Sequence, residues 1–151
     1  MSKYIHPATL EVAHEVASNL LPDDYREVYE GHGHDPKIWM PLYVKMSKEA
    51  VYFTAPDGQI AGMAGVQENN AIWMLCTPVI LDNKFTFARE AKKFIDSRTE
   101  KYLWNIVDIR NTTHMKLLQF LGFKFIRKIK HGPNNLTFIE FIKCVHQQQP
   151  Q

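Results

Sequence analysis

The chain carries few residues whose type and setting suit chemistry, and they gather at the ends of elements. His114 stands in the first turn of a helix that Asn111 opens. An imidazole there can act as acid or base near neutral pH, and it can equally be a half-buried helix side chain packed on a sheet. Asn111 suits a helix cap, a role worth about 1 kcal/mol without any ligand. Glu68 lies in the turn Glu68-Asn69-Asn70 ahead of a strand, where it can serve as a base or stand as a solvated acid. Lys84 precedes a helix that starts near Phe85 and Thr86. Open N–H groups, the positive end of the helix dipole and one cation would meet there, a combination suited to a phosphate. His32 and His34 flank Gly33 beside Asp35 and offer metal-ligand types on a glycine-bearing loop. No further ligand falls at a matching spacing, so no metal site is assigned. Cys76 reads as a small residue within a strand, and nothing near Cys144 marks it as activated.

Composition bounds what these residues can belong to. The chain has 151 residues, 45% hydrophobic and 23% charged, enough for a packed core and too apolar for default disorder. The expected organisation is one domain over residues 1–146 with a flexible polar tail over 147–151. A net charge of +2 is too balanced for a protein that holds nucleic acid by bulk charge. The basic run Lys124, Arg127, Lys128, Lys130, with Lys143 on the next strand, could hold an anion or simply solvate a sheet edge. Two cysteines exclude a disulfide scaffold or a four-cysteine zinc site. No stretch reaches the roughly 20 apolar residues of a membrane span, and the first residues lack an apolar secretory core. A soluble intracellular protein is expected.

The elements that must position these residues can be read from period and punctuation. A short strand over 3–6 stops at Pro7. Thr9 caps a helix carrying Leu10, Ala13, Val16, Ala17 and Leu20 at helical spacing. Pro22 restarts a helix over 25–30, and residues 31–36 break it. A third helix runs from 37 to about 48, with Trp39, Leu42, Tyr43 and Met46 on one face. The period then falls to two. Strands over 50–55, 59–67 and 71–76 form a meander through the turns Pro56-Asp57-Gly58 and Glu68-Asn69-Asn70. A helix spans 85–98. The almost fully apolar run 102–108 reads as a central buried strand. The Asn111 helix ends at Leu121, with Gly122 in the left-handed closing position. Strands over 123–129 and 136–143 close the chain. The strand–helix–strand crossover sets 71–76 parallel to 102–108. The fold class is α/β: a mixed, mostly antiparallel sheet with one parallel pair and helices on both faces.

Asn111-Thr112-Thr113-His114, Leu117-Leu118 and Leu121-Gly122-Phe123, set between two strands, resemble the C-terminal motif of the GNAT superfamily of N-acetyltransferases. There an Asn opens a helix and a Gly-Phe pair ends it at this same spacing, and the element order matches as well. A narrower resemblance covers residues 72–128. Trp73-Met74-Leu75-Cys76-Thr77, the helix Phe87-Ala88-Arg89-Glu90-Ala91-Lys92-Lys93-Phe94, and Leu103-Trp104-Asn105 through Gly122 are similar to the internal virion protein A family of short-tailed bacteriophages.

The resemblance implies a GNAT-like domain whose parallel strands splay to admit an acetyl-CoA arm. It implies cofactor contacts from Thr77, Lys84, Phe85, Thr86 and Asn111, with His114 and Glu68 as the groups placed for proton transfer. It also implies virion or host proteins as partners, no membrane segment, a site of action in the host cytoplasm and possible association with the virion. Two positions depart from the GNAT pattern. The glycine-rich loop expected before the 85–98 helix is replaced by a segment without glycine, 77–87. Leu118 stands where many GNAT enzymes have an acidic Tyr. Two readings follow: a phage accessory protein of altered or lost catalysis, and an acetyl-CoA-dependent N-acetyltransferase acting on a protein amine. A nucleic-acid-docking module is the weakest alternative.

Overall fold

The structure, a computed structural model, describes residues 2–145; the 147–151 tail lies outside them. Strand β1 (Ile5–Pro7) leads to helix α1 (Leu10–Ala17), whose first turn is closed by the Thr9 side chain accepting the Val12 N–H at 3.1 Å. Helix α2 (Pro22–Arg26) starts on its proline and widens directly into a π-helical turn, Glu27–Gly31. Asp35 caps α3 (Pro36–Met46). Strands β2 (Ser47–Thr54), β3 (Ile60–Gln67) and β4 (Ile72–Cys76) form the meander. A 3-10 turn, Pro78–Asp82, joins β4 to α4 (Lys84–Asp96). Then come β5 (Tyr102–Asp108), α5 (Thr112–Phe120), β6 (Lys124–His131) and β7 (Leu136–Cys144).

Two glycines close turns that side chains would not permit. Gly122 has a φ of +93°, the left-handed position expected after α5. At Gly132, φ +77°, a Cβ would lie 1.8 Å from the Gly31 carbonyl oxygen, so the β6–β7 turn can press against the π-helical turn only with glycine there.

The strands form two sheets, β1-β2-β3-β4 and β5-β7-β6, and every hydrogen-bonded ladder in them is antiparallel. They meet at a single parallel bridge, Ala71 to Trp104, and part beyond it. The parallel pair expected from the crossover is therefore a splayed pair. One apolar layer crosses both sheets. It joins Phe53, Val66 and Met74 to Phe87, Ala91, Phe94 and Ile95 of α4, Leu118 of α5, and Leu103, Val107 and Phe141. The opposite face is covered by α1 and α3, where Ala13, Val16 and Met40 meet Met63 and Leu75. Helices thus lie on both faces.

Two sequence expectations need correction. The inward face of α3 is Met40 with Tyr43 and Val44, while Leu42 and Met46 are exposed. Apolar residues occupy almost every face of that helix, so periodicity alone does not select one. Strand β5 is an edge of its own sheet, whose centre is β7. Its apolar character comes from lying in the middle of the whole molecule: Leu103 and Val107 enter the apolar layer, and Trp104 and Ile106 line a recess beside the gap to β4.

Candidate functional site

The gap is built from alternation. Cα pairing of β4 with β3 runs Gly62–Cys76, Ala64–Met74 and Val66–Ile72. Gln67 N–H to Ala71 O and Thr77 N–H to Ala61 O, both 2.9 Å, show that the odd-numbered residues of this stretch bond β3. The amides of Ile72, Met74 and Cys76 therefore face away from β3, toward β5. By the same logic Trp104, Ile106 and Asp108 of β5 face away from β7, since Ile109 N–H reaches Thr137 O and Val145 N–H reaches Lys101 O.

These facing edges are closed by the chain itself at both ends. At the joined end, Trp104 N–H donates to Asn70 O and the Trp104 indole to Asn69 O at 2.9 Å. One step in, the Asn105 side chain donates to Ile72 O at 2.7 Å and accepts the Ile106 N–H at 2.8 Å. At the open end, α2 and the π-helical turn that continues it supply one carboxylate each. Asp24 accepts the Cys76 N–H at 2.8 Å, while the Leu21 N–H donates to the Cys76 carbonyl at 2.9 Å. Glu27, one helical turn on, accepts the Asp108 N–H at 2.9 Å. Asn111 ties the two acids together, its side-chain N–H group donating to Asp24 at 2.8 Å and to Glu27 at 3.4 Å. Its oxygen accepts the His114 N–H, which caps α5. His114 Nδ1 lies 4.0 Å from Asp24. Met74 lies between the anchored positions of β4, its amide facing the gap.

This wall separates two recesses of about 310 Å³ each. On the α1–α3 side is a cavity lined by Glu27, Tyr43, Trp73, Trp104 and three histidines, His32, His34 and His131. On the α4–α5 side is a groove lined by Asp24, Ile80, Leu81, Lys84, Lys116 and Phe120. His114 lines both.

Burial sets the charge states of the wall. It raises Glu27, helped by the neighbouring Asp24 charge, to a pKa of about 8, so that carboxyl holds its proton at neutral pH. Burial also raises Asp24, against the pull of His114 and Asn111, and lowers His114, which is a neutral imidazole at pH 7. Asp108 is buried too, yet Arg110 beside it holds it below the ordinary carboxylate range. His32 is pushed down to about 4 by burial and by His131, whose ring nitrogen lies 2.9 Å away. His34 stacks on Trp39 and meets the Tyr43 hydroxyl at 2.5 Å. Among the described residues, no group of three His, Cys, Asp or Glu is placed to hold a metal ion.

The residues named from sequence fall as follows. His114 and Asn111 are in the wall. Lys84 lines the groove, Phe85 is exposed at the start of α4, and Thr86 is half-buried beside it. Thr77 is buried and faces inward: its hydroxyl donates to Ile60 O at 2.8 Å and accepts the Val79 N–H. Glu68 is exposed in its turn and lines neither recess. The acids that do meet the gap, Asp24 and Glu27, read in sequence only as acidic residues of a helical segment. Their three-residue spacing beside Leu21 and Val28 was the available signal that both face inward. Leu118 is core. The basic run lies on β6, an edge strand, where Arg127 pairs with Glu140 and Lys130 with Thr137.

In sequence the chain matches no family model and no curated protein. In structure it resembles acetyltransferases over nearly its whole length. A GNAT-family acetyltransferase from Bacillus anthracis superposes with a TM-score of 0.66 at 12% identity, covering 93% of each chain. A Salmonella typhimurium protein solved with its cofactor acetyl-CoA gives 0.66 at 12% identity, over 99% of this chain and 98% of that one. Spermidine N-acetyltransferase from Vibrio cholerae, in complex with CoA and spermine, gives 0.68 at 10% identity, over 93% and 94%. The fold is the GNAT fold.

That fold implies acetyl-CoA, and the strand edge held by α2 does not fit its arm, although the uncapped first turn of α4 still offers N–H donors beside Lys84. A thioester lying in the gap needs strand amides free to pair with it and a diphosphate cradle of outward N–H groups. Here Cys76 is bonded at both N–H and C=O by α2 and the residue before it. The 3-10 turn directs its donors inward, Ile80 N–H to Thr77 O at 3.2 Å and Asn83 N–H to Ile80 O at 3.1 Å. None of the seven glycines falls between Gly65 and Gly122.

Proposed function

We propose that this chain is a phage-encoded accessory protein of the internal virion protein A type, a GNAT-fold domain over residues 1–146 whose acyl-transfer seat has been taken over by its own side chains. The observation that carries this reading is the Asp24–Cys76 bond, fixed by Asn111. It occupies the open end of the β4 edge that a thioester would pair with, leaving only the Met74 position farther in. The resemblance of residues 72–128 to the phage family supports the biological setting. On this reading the protein acts in the host cytoplasm, with possible association with the virion, through contacts with virion or host proteins during assembly or early infection.

The test is thermal melting with acetyl-CoA and with CoA at about 1 mM. A ligand at a hundredfold excess over its Kd stabilises by about 2.7 kcal/mol, which a melting curve registers readily. No shift is expected, and a clear shift with either compound overturns the closed-seat reading. The accessory role is checked separately by quantitative mass spectrometry of purified particles and by binding to isolated virion proteins.

A second reading, acetyl-CoA-dependent N-acetylation of a protein amine, is favoured by one observation. Glu27 and neutral His114 line the same cavity, and a carboxyl with a pKa of about 8 becomes a base for an amine as pH rises toward that value. Release of CoA thiol in the presence of acetyl-CoA and virion or host protein, lost in Glu27→Gln, would support it.

A further inference from the structure

We propose that the groove between α4 and α5 is a protein-docking site, one that takes a short acidic segment of a partner anchored by one large apolar side chain. The proposal rests on the closed-seat reading, since it assigns the groove to something other than CoA.

The first observation is an apolar mouth without cover. Leu81 is 50% exposed, Phe120 57% and Phe85 92%. Leu81 and Phe120 line the groove from opposite sides, one from the 3-10 turn and one from the end of α5. Phe85 stands in the first turn of α4 beside Lys84. Grouped exposed side chains of this size mark interaction surfaces, whereas scattered ones do not. Below them Ile80, Phe87 and Leu117 give an apolar floor, and about 310 Å³ is room for an anchoring side chain rather than a folded element.

The second observation is charge. Lys84 on α4 and Lys116 on α5 line the two walls, and among the described residues neither takes part in an ion pair. Asp82 lies in the adjoining turn but does not line the groove. At the base, His114 is neutral and Asp24 is committed to Cys76 and Asn111. The cations therefore sit at the mouth and the apolar surface lies inside. The complementary ligand has its apolar group central and its carboxylates flanking it. Rim lysines of this kind select partners and steer encounter more than they add affinity. The 3-10 turn keeps its N–H groups for itself, and the first turn of α4, which no side chain caps, adds open N–H donors beside Lys84 that suit a carboxylate.

The experiment is selection of a yeast-displayed random peptide library against the full chain, with counter-selection against a Lys84→Glu, Lys116→Glu variant. Enrichment of peptides with Asp or Glu flanking one large apolar residue is expected. Their affinity should fall about tenfold or more in the charge-reversed variant, and comparably in Leu81→Ser with Phe120→Ser. All of these side chains are on the surface, so unchanged melting temperatures confirm that the variants remain folded. No enrichment over the counter-selected variant, or enriched peptides without acids, overturns the proposal. Self-association of the wild type that the charge reversal abolishes overturns it in favour of a second copy of this chain. A CoA-dependent melting shift lost in the charge-reversed variant overturns both this proposal and the closed-seat reading. Failed selection without CoA binding overturns the docking proposal alone.

Discussion

Glu27 holds a proton at neutral pH because it is buried beside a second acid, and this has a consequence for stability. Its folded pKa of about 8 lies above the ordinary 4.5. Between those values the folded chain binds more protons than the unfolded chain, so stability is lost as pH rises. His32 works in the other direction. Its folded pKa of about 4 lies below 6.5, so its contribution is lost as pH falls from 6.5 toward 4. The two oppose each other below about 6.5, and Glu27 dominates above it. Denaturation midpoints are expected to decline from pH 6.5 to 8 in the wild type and to flatten in Glu27→Gln; an unchanged slope in that variant would place the effect elsewhere. Asp24 offers a second test. Asp24→Ala leaves the buried Cys76 N–H without its acceptor and the Asn111 amide with only its longer bond to Glu27, and a loss of about 3 kcal/mol in urea unfolding is expected. Neither acid was legible as a site residue in the sequence. What marks them is what they touch, and those partners are 52 and 81 residues away.

At the scale of elements, α5 shows how a local signal acquires a distant role. Asn111 caps the helix by accepting the His114 N–H, as its position and residue type indicate. Its other side-chain atom bridges α2 to the cap. Asn111→Ser preserves the cap function but cannot span both acids. It should therefore lose about 1–2 kcal/mol, whereas an exchange at an ordinary cap is close to neutral. Equilibrium unfolding of Asn111→Ser beside Thr9→Ser, a cap that contacts only its own helix, separates the two contributions. The splay has the same character. Strand–helix–strand order and the apolar run over Tyr102–Asp108 identify β4 and β5 as neighbours. Their parting after one bridge goes with Asn105, Asp24 and Glu27 inserted between them.

Over the whole molecule, one apolar layer runs beneath both sheets, so the gap between them does not divide the core. Trp73 on β4 and Trp104 on β5 place a fluorescent reporter on either side of the gap. Because Leu103 and Phe141 share their cluster with Phe53 and Phe94, unfolding followed by tryptophan fluorescence and by far-UV circular dichroism should coincide. Phe141→Ala should shift both transitions together, by about 3–5 kcal/mol. A separation of the two curves would mean that the sheets unfold independently.

The sequence by itself determined the element order, the caps at Thr9 and Asn111, the left-handed Gly122 and the absence of glycine before α4. Each of these follows from the residue's own backbone preferences or from hydrogen bonds within a turn, which need no distant partner. Only the tertiary structure decided that α3 turns Met40 inward, that β5 borders a gap, and that Asp24 and Glu27 fill it. Those outcomes depend on burial and on contacts between residues far apart in the chain. The missing phosphate loop, visible from the start, gains its meaning there: the 3-10 turn and the Cys76 end of the strand edge are satisfied from within, while the first turn of α4 keeps its N–H groups open.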